Sequence, residues 1–402
     1  MPETEIKRKF AARIAQVQPS MTMAVVDKAA SLRSQGRDII DLGVGEPDYE
    51  TPDHVKQAAV KALNQGHTRY TKNVGIDELR EAVVSKLERV NNLKCNPSQV
   101  IVSGGGKHSL FNAMMTLLDA FDEIIIFAPY WVTFPEMAKL TGAKPVIIDT
   151  KEANNFEPDL DEVADKMTDK TRAILINSPS NPTGSVFSSK TIQGLVELAR
   201  KNGAYIISDE CYDQIAYDQQ PVSPAVYEED PEFVITVQTM SKSYAMTGWR
   251  IGYAAAANDI IKNMAKIQSQ STSHPNSIAQ HAAVEALNGD QTFLKEMVIE
   301  YRKRRDYVLE RLVSIPNLSF SKPDGAFYVF PKVNDYFGLS DGEQTVNNAL
   351  DLANFLLEEE GVALIPGDGF GAADHIRISY STSMKELERG LDRFETALQK
   401  LK

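Results

Sequence analysis

Seven short apolar runs rich in β-branched residues constrain this chain more than any other feature. They fall at 99–103, 123–128, 145–149, 173–177, 204–209, 233–239 and 250–255. Helical patterns stand between them, at 107–119 and at 189–202, where Gly203 closes the second. Runs that are apolar throughout, rather than alternating, read as strands buried on both faces. Strands of that kind spaced by helices predict a mostly parallel sheet covered by helices on both sides. We place this large domain at 50–290.

A different pattern follows. A charged helical segment at 292–314 precedes short strand-like pieces at 319–320, 326–331, 361–364 and 375–379, with helices at 345–360 and 383–401. Residues 291–402 therefore read as a smaller α+β domain. Residues 1–49, with a helix at 23–35 ended by Gly36, are assigned as an arm and part of that small domain. The expected fold class is α/β: a mostly parallel seven-stranded sheet sandwiched by helices, with a smaller α+β domain.

Composition narrows the partners. The chain has 402 residues, 43 basic against 55 acidic, so its net charge is 43 − 55 = −12. It exceeds one domain of about 100–200 residues. An acidic surface argues against nucleic acid, which needs a basic patch. No run of about 18 apolar residues offers a membrane span, and the charged residues 1–10 lack the apolar core of a signal peptide. Two cysteines, Cys95 and Cys211, are too few for a disulfide framework, so a reducing, cytoplasmic setting is expected.

In open α/β sheets ligands bind beyond the carboxyl ends of the strands, so the residues after each run carry the chemistry. Gly104-Gly105-Gly106 follows the first and leads into Lys107 at a helix start. Backbone N–H groups at such a turn suit a phosphate. A lysine there opposes the helix dipole, which makes sense if it faces an anion. Pro129-Tyr130-Trp131 follows the second run, and Trp131 reads either as ordinary core or as a flat stacking face for an aromatic ring. Asp209 ends the fifth, as a helix cap or as a buried carboxylate for a protonated ring nitrogen. Lys242 lies between two serines after the sixth, as a solvated loop lysine or as a positioned, desolvated amine able to form a Schiff base with a carbonyl. Arg250 is read as the first residue of the seventh run, where it clamps a phosphate or lies as a surface charge. Alternation in 375–379 puts Arg377 opposite Ile376 and Ile378, either on a wet face or as a fork for a carboxylate.

The motifs Asn181-Pro182-Thr183-Gly184, Ser208-Asp209-Glu210-Cys211-Tyr212 and Ser241-Lys242-Ser243-Tyr244-Ala245-Met246-Thr247-Gly248-Trp249-Arg250, in this order, resemble fold-type I pyridoxal-phosphate enzymes, and among them the class-I aminotransferases. Pro129-Tyr130-Trp131 and Ser269-Gln270-Ser271-Thr272 are similar to the bacterial-type aspartate aminotransferases. The resemblance implies pyridoxal 5'-phosphate as cofactor, amino acids and 2-oxo acids as substrates, and a homodimer. It implies that Lys242 is the catalytic lysine joined to the cofactor, that Asp209 holds the ring nitrogen, and that Tyr212 and Asn181 bond the ring oxygen. Trp131 stacks on the ring, while Gly105, Gly106, Thr239 and Arg250 surround the phosphate. Tyr70 reaches the phosphate of the partner subunit. Arg377, helped by Asn181, takes the substrate α-carboxylate, Gly45 lies near the substrate backbone, and Lys107 takes the side-chain carboxylate. No metal is implied. Relatives that also transaminate prephenate carry Lys before the Pro-Ser of the arm, whereas Gln18 precedes Pro19-Ser20 here. A β-lyase is the alternative reaction. A ligand-sensing regulator is disfavoured, because no N-terminal DNA-binding module is expected.

Overall fold

The computed structural model describes residues 10–19, 21–228 and 232–402. The reading of residues 1–10 as no signal peptide therefore lies, Phe10 apart, outside the described residues. Twelve strands are described in all. They are β1 (Ile40–Asp41), β2 (Val100–Ser103), β3 (Glu123–Ala128), β4 (Lys144–Asp149), β5 (Thr171–Asn177), β6 (Tyr205–Asp209), β7 (Val234–Thr239), β8 (Gly252–Ala255), β9 (Tyr328–Val329), β10 (Val362–Ala363), β11 (Ile365–Pro366) and β12 (Ile376–Ser379). Seven form one sheet in the order β2-β8-β7-β6-β5-β3-β4. Only β8 runs antiparallel to its neighbours, β2 and β7.

The two-sided burial expected of the central strands is present residue by residue. Ile124 and Ile126 of β3, with Ala173 and Leu175 of β5, enter one apolar core. Ile125, Ile174 and Ile176 enter a second core on the opposite face. Each such fully buried isoleucine or leucine contributes roughly 1.5–3 kcal/mol of transfer free energy, and the charges these strands do carry, Glu123 and Arg172, lie at their starts in ion pairs with Lys144 and Asp122. The covering helices have legible ends. Ser188 caps Ser189–Asn202 by accepting from Thr191 N, and Gly203 stops it at φ +64, a left-handed conformation that glycine adopts without strain.

The C-terminal part is built from smaller sheets. β11, β12 and β9 pair antiparallel, around a core that includes Phe327, Ile376, Ile378, Leu391 and Phe394. β1 pairs in parallel with β10, and Lys28 reaches Asn354 and Glu358 at 2.8 and 2.7 Å. The helix Met21–Ser34 is thus tied to the helix Ala349–Glu359 of the C-terminal part.

Three local expectations are corrected. The run at 361–364 holds only the two-residue strand β10, and the next strand, β11, starts at Ile365 in a different sheet. Residues 319–320 make only a single bridge, Ser319 to Lys332. Arg250 does not begin a strand: it ends a short 3-10 turn in the left-handed conformation, φ 56 and ψ 55, and β8 starts two residues later. Among the described residues no helix is long and apolar enough to cross a membrane.

Candidate active site

The parallel strands end along one edge of the large sheet, and the chemistry gathers there. Lys242 lies in the four-residue helix Met240–Ser243 directly after β7, with Thr239 as its cap. Its ammonium is half-buried and donates to the Gly45 carbonyl. Burial pushes its pKa down, with Arg377 and Arg250 adding to the effect while Cys211 and Glu46 oppose it. A desolvated lysine with a lowered pKa is closer to a free, nucleophilic amine.

Asp209 closes β6 and is 6% exposed. Its carboxylate accepts from Cys211 N at 3.2 Å and makes no ion pair among the described residues. Burial is the main reason that its pKa rises to about 7; the charge of Glu210 adds to the rise, and Lys242 opposes it. The Asp209 carbonyl accepts from Asn177 Nδ2 (3.1 Å), Asn177 Oδ1 accepts from Asn181 N (2.9 Å), and Asn181 Oδ1 accepts from Arg377 Nη1 (2.9 Å). One chain of hydrogen bonds therefore links the ends of β6 and β5 to β12.

Arg377 overturns the wet-face alternative. It is 4% exposed. Its guanidinium carbon lies 4.5 Å from the ring centre of Tyr328 and 5.1 Å from that of Phe370. Nη2 donates to the Gly43 carbonyl at 2.7 Å, while Nε has no partner. No carboxylate pairs with it among the described residues. A buried guanidinium without a counter-anion is costly unless an anion arrives. Burial lowers its pKa, and the Tyr328 and Tyr212 hydroxyls oppose that.

The glycine turn and Arg250 form one cradle. A Cβ on Gly105 would stand 2.3 Å from Arg250 Nη2, and one on Gly106 would stand 3.2 Å from Thr239 Cβ. Only glycine lets the guanidinium lie over this turn, which opens the helix Gly106–Leu117. Arg250 otherwise contacts backbone oxygens only, those of Thr247 (2.8 Å) and Gly104 (3.4 Å). Lys107, one residue into the helix, places its ammonium 4.6 Å from the centre of the Trp131 ring. It has no acidic partner among the described residues. Desolvation there lowers its pKa, with Arg250 reinforcing the shift. Trp131 itself rests edge-on against Phe134.

Gly45 is where these groups meet. Its carbonyl takes Lys242, and a Cβ there would stand 3.2 Å from Tyr328 Oη and 3.8 Å from Arg377 Nη2. The Tyr212 hydroxyl lies 2.8 Å from that of Tyr328. Tyr328 and Asn177 were not among the residues picked from sequence. Asn177 ends an apolar run at the carboxyl edge of the sheet, so the rule that found Asp209 could have found it. Tyr328 carries no such signal. Tyr70 stands apart from the cluster: it is 91% exposed and meets only the edge of His274, at 5.5 Å between ring centres. His274, Gly104 and Arg250 help line a cavity of about 670 Å³.

Comparisons with known proteins agree on one family. A family model described as aminotransferase class I and II matches residues 37–394. The chain is 42% identical over 394 residues to the aspartate aminotransferase of Bacillus subtilis (strain 168), covering 98% of this chain and 99% of the relative. It is 40% identical to a probable aspartate/prephenate aminotransferase of Aquifex aeolicus, covering 98% and 100%. Among solved structures, the aspartate aminotransferase of Thermus thermophilus with maleate superposes with a TM-score of 0.92 at 41% identity, covering 97% of this chain and all of that one. The aspartate aminotransferase of Rhizobium meliloti gives 0.94 at 39% identity, with 98% and 100% covered. The chain belongs to the class I and II aminotransferases.

Proposed function

We propose that this aminotransferase moves the amino group between L-aspartate and 2-oxoglutarate, with pyridoxal 5'-phosphate held at the Lys242 cleft. The observation that carries the reading is the pair of cations without counter-anions, Arg377 and Lys107, facing one cleft that also holds the desolvated amine of Lys242. A dicarboxylate supplies an anion for each.

The residues fit the cofactor. The Gly105–Gly106 turn, Thr239 and Arg250 form a cradle that a Cβ would fill, suited to a phosphate. Asp209 is a buried carboxylate that takes up a proton near pH 7 for want of a cation, which a protonated ring nitrogen would supply. Tyr212 and Asn181 offer a hydroxyl and an amide for the ring oxygen, and Trp131 a stacking face. When bound, the cofactor supplies an aldehyde for amines and an electron sink.

The chain's own groups do the rest. Arg377 fixes the substrate α-carboxylate as a fork, with Asn181 orienting it. Lys107 takes the second carboxylate beside Trp131. Lys242 Nζ, a desolvated amine, would take the proton from the substrate α-carbon. One 2-oxo acid leaves before the next binds, so the kinetics are ping-pong. Tyr70 projects outward toward the site of a second copy in a homodimer. The chain divides into the arm at 1–49, a cofactor domain at 50–290 and a small domain at 291–402 that closes on substrate, working in the cytoplasm.

A second reading keeps the site and adds prephenate as acceptor, which the naming of the Aquifex relative favours. Gln18 stands where prephenate users carry lysine, and its N–H is tied to Glu136 at 2.7 Å. The test is direct. Aspartate added to protein loaded with pyridoxal phosphate should shift the visible band to the amine form, and 2-oxoglutarate should restore it. Absence of the shift overturns the reading, and release of pyruvate and ammonia from a sulfur amino acid without a 2-oxo acid acceptor replaces it with a β-lyase.

A further inference from the structure

A second carboxylate lies directly behind Asp209, on the other face of the sheet. Alternation along β6 and β7 sends Ile207, Ile235 and Val237 to the face of Asp209, and sends Ile206 and Val234 to the opposite one. Ser208, Glu210, Thr236 and Gln238 share that opposite face. Glu210 is 4% exposed. Its Oε1 accepts from Ser208 Oγ (2.9 Å) and Ser223 Oγ (2.5 Å), and its Oε2 accepts from Gln238 Nε2 (2.9 Å). Gln238 cannot turn round, because its Oε1 accepts from Lys86 Nζ and from Tyr253 Oη. Lys86, from the helix Asp77–Asn91, is 1% exposed and is also bound to Asp213 and to Asn91 Oδ1.

The charges in this buried group do not balance. Lys86 is one cation against two carboxylates, and its ion pair is with Asp213. Glu210 makes no ion pair among the described residues. Burial pushes its pKa up, while Ser223, Gln238 and Ser208 oppose that. A proton on Oε2 would face the amide N–H of Gln238, and one on Oε1 would require a hydroxyl to reverse. The ionised form accepts at all three contacts as they stand, whereas a proton on Oε1 needs Ser223 to turn its hydroxyl toward Thr236 Oγ1, 3.4 Å away. Facing Glu210 are Lys86 from its helix, Asp213 from the loop after β6 and Tyr253 from β8. On the front are Asp209, Lys242 and the Cys211 thiol. A buried anion with no cation is costly to keep unless a cation close by benefits from it.

We propose that Glu210 is a positioning residue for charge: ionised behind the sheet, it strengthens the hold of Asp209 on the positive ring nitrogen of the cofactor, with Lys86 orienting the Gln238 amide that holds it. This rests on the reading of the Asp209 cleft as the pyridoxal phosphate site. The sign is fixed by electrostatics. Two neighbouring carboxylates repel each other when the cleft holds no cation, which raises the proton affinity of Asp209, and both attract a cation that enters.

The test uses Glu210→Gln and Ser223→Ala, which removes one donor from Glu210. In cofactor-free protein the Asp209 carboxyl is followed by ¹³C NMR against pH, assigned with Asp209→Asn. In loaded protein the Kd of pyridoxal phosphate is measured. For Glu210→Gln the Asp209 midpoint should fall by about half a unit to one unit, and cofactor binding should weaken by about three- to tenfold. Ser223→Ala should shift both the same way by less, and it decides the matter if Glu210→Gln does not fold. An unmoved Asp209 midpoint overturns the proposal even if the melting temperature falls, since a merely structural network would lower only the latter. A midpoint that moves with an unchanged Kd overturns the cofactor role. Failure of the wild-type protein to bind pyridoxal phosphate overturns the underlying reading, and the proposal with it.

Discussion

Arg377 and Arg250 stand at two ends of one cleft and are held in opposite ways. Arg377 sits within β12, buried between the rings of Tyr328 and Phe370, its fork aimed by Asn181 and the Gly43 carbonyl. Arg250 is exposed, sits on a left-handed residue after a turn, and leans on two backbone carbonyls over glycines. The difference teaches what each end is for. A substrate that comes and goes gains from a rigid, desolvated fork that loses little entropy on binding. A group that stays gains from many modest donors, of which the arginine is one.

The comparison breaks first at Arg377. Arg377→Lys keeps the charge and loses the fork, and it leaves Asn181 Oδ1 and the Gly43 carbonyl unpaired in a buried place. At about 1.5–3 kcal/mol for a charge-assisted bond, with the cost of the orphaned acceptors added, kcat/KM should drop roughly 30- to 1,000-fold. The loss should be equal for aspartate and for an apolar amino acid, since both carry the α-carboxylate. Steady-state kinetics on the two donors checks it. A loss confined to aspartate would move the carboxylate site elsewhere.

How far such a residue can be read from sequence depends on what its environment is made of. The central strands were legible because a buried parallel strand writes its burial into its own composition, as β3 and β5 do. Asp209, Lys242 and Lys107 were singled out by their places at strand and helix ends, and their roles came from the family resemblance alone. Arg377 was ambiguous, because alternation in β12 is the same for a wet face as for a cleft. What decides is Tyr328 and Phe370, which are brought in by the fold. Arg250 was misplaced because a positive φ at a non-glycine residue is imposed by the turn around it and leaves no trace in residue type. Tyr328 was missed for a related reason: within an apolar stretch a tyrosine looks like core until its hydroxyl is seen beside that of Tyr212.

Lys107 sharpens the contrast within the substrate end. It is a single point charge against Trp131, with no fork and no acidic partner among the described residues. Lys107→Ala should lower kcat/KM for aspartate and glutamate by about 10- to 100-fold, the worth of one charge-assisted bond, and leave an apolar donor nearly untouched. Because desolvation and Arg250 hold its pKa below the ordinary lysine value, its positive form is full at low pH and is lost as pH rises through that lowered value. The preference for dicarboxylates over apolar donors should fall in the same direction. A preference that is flat with pH, or equal losses for both donors, would remove Lys107 from side-chain recognition.

Arg250 carries the smallest effect, and its direction separates the two ends most cleanly. Arg250→Lys keeps a positive charge near the glycine turn and gives up the second N–H contact. The start of the helix Gly106–Leu117 and the hydroxyls of Thr239 and Ser241, 2.9 Å apart, are untouched and would still hold the phosphate of the proposed cofactor. The loss is therefore one contact of several, about 1–1.5 kcal/mol or roughly tenfold in the Kd of pyridoxal phosphate. In protein saturated with cofactor, KM for aspartate should stay within about twofold, because Arg377 and Lys107 are unaltered. Equilibrium dialysis against pyridoxal phosphate and kinetics at saturating cofactor measure the two quantities separately. A variant that raises the aspartate KM while retaining its cofactor would place Arg250 at the substrate end and erase the distinction between the two arginines.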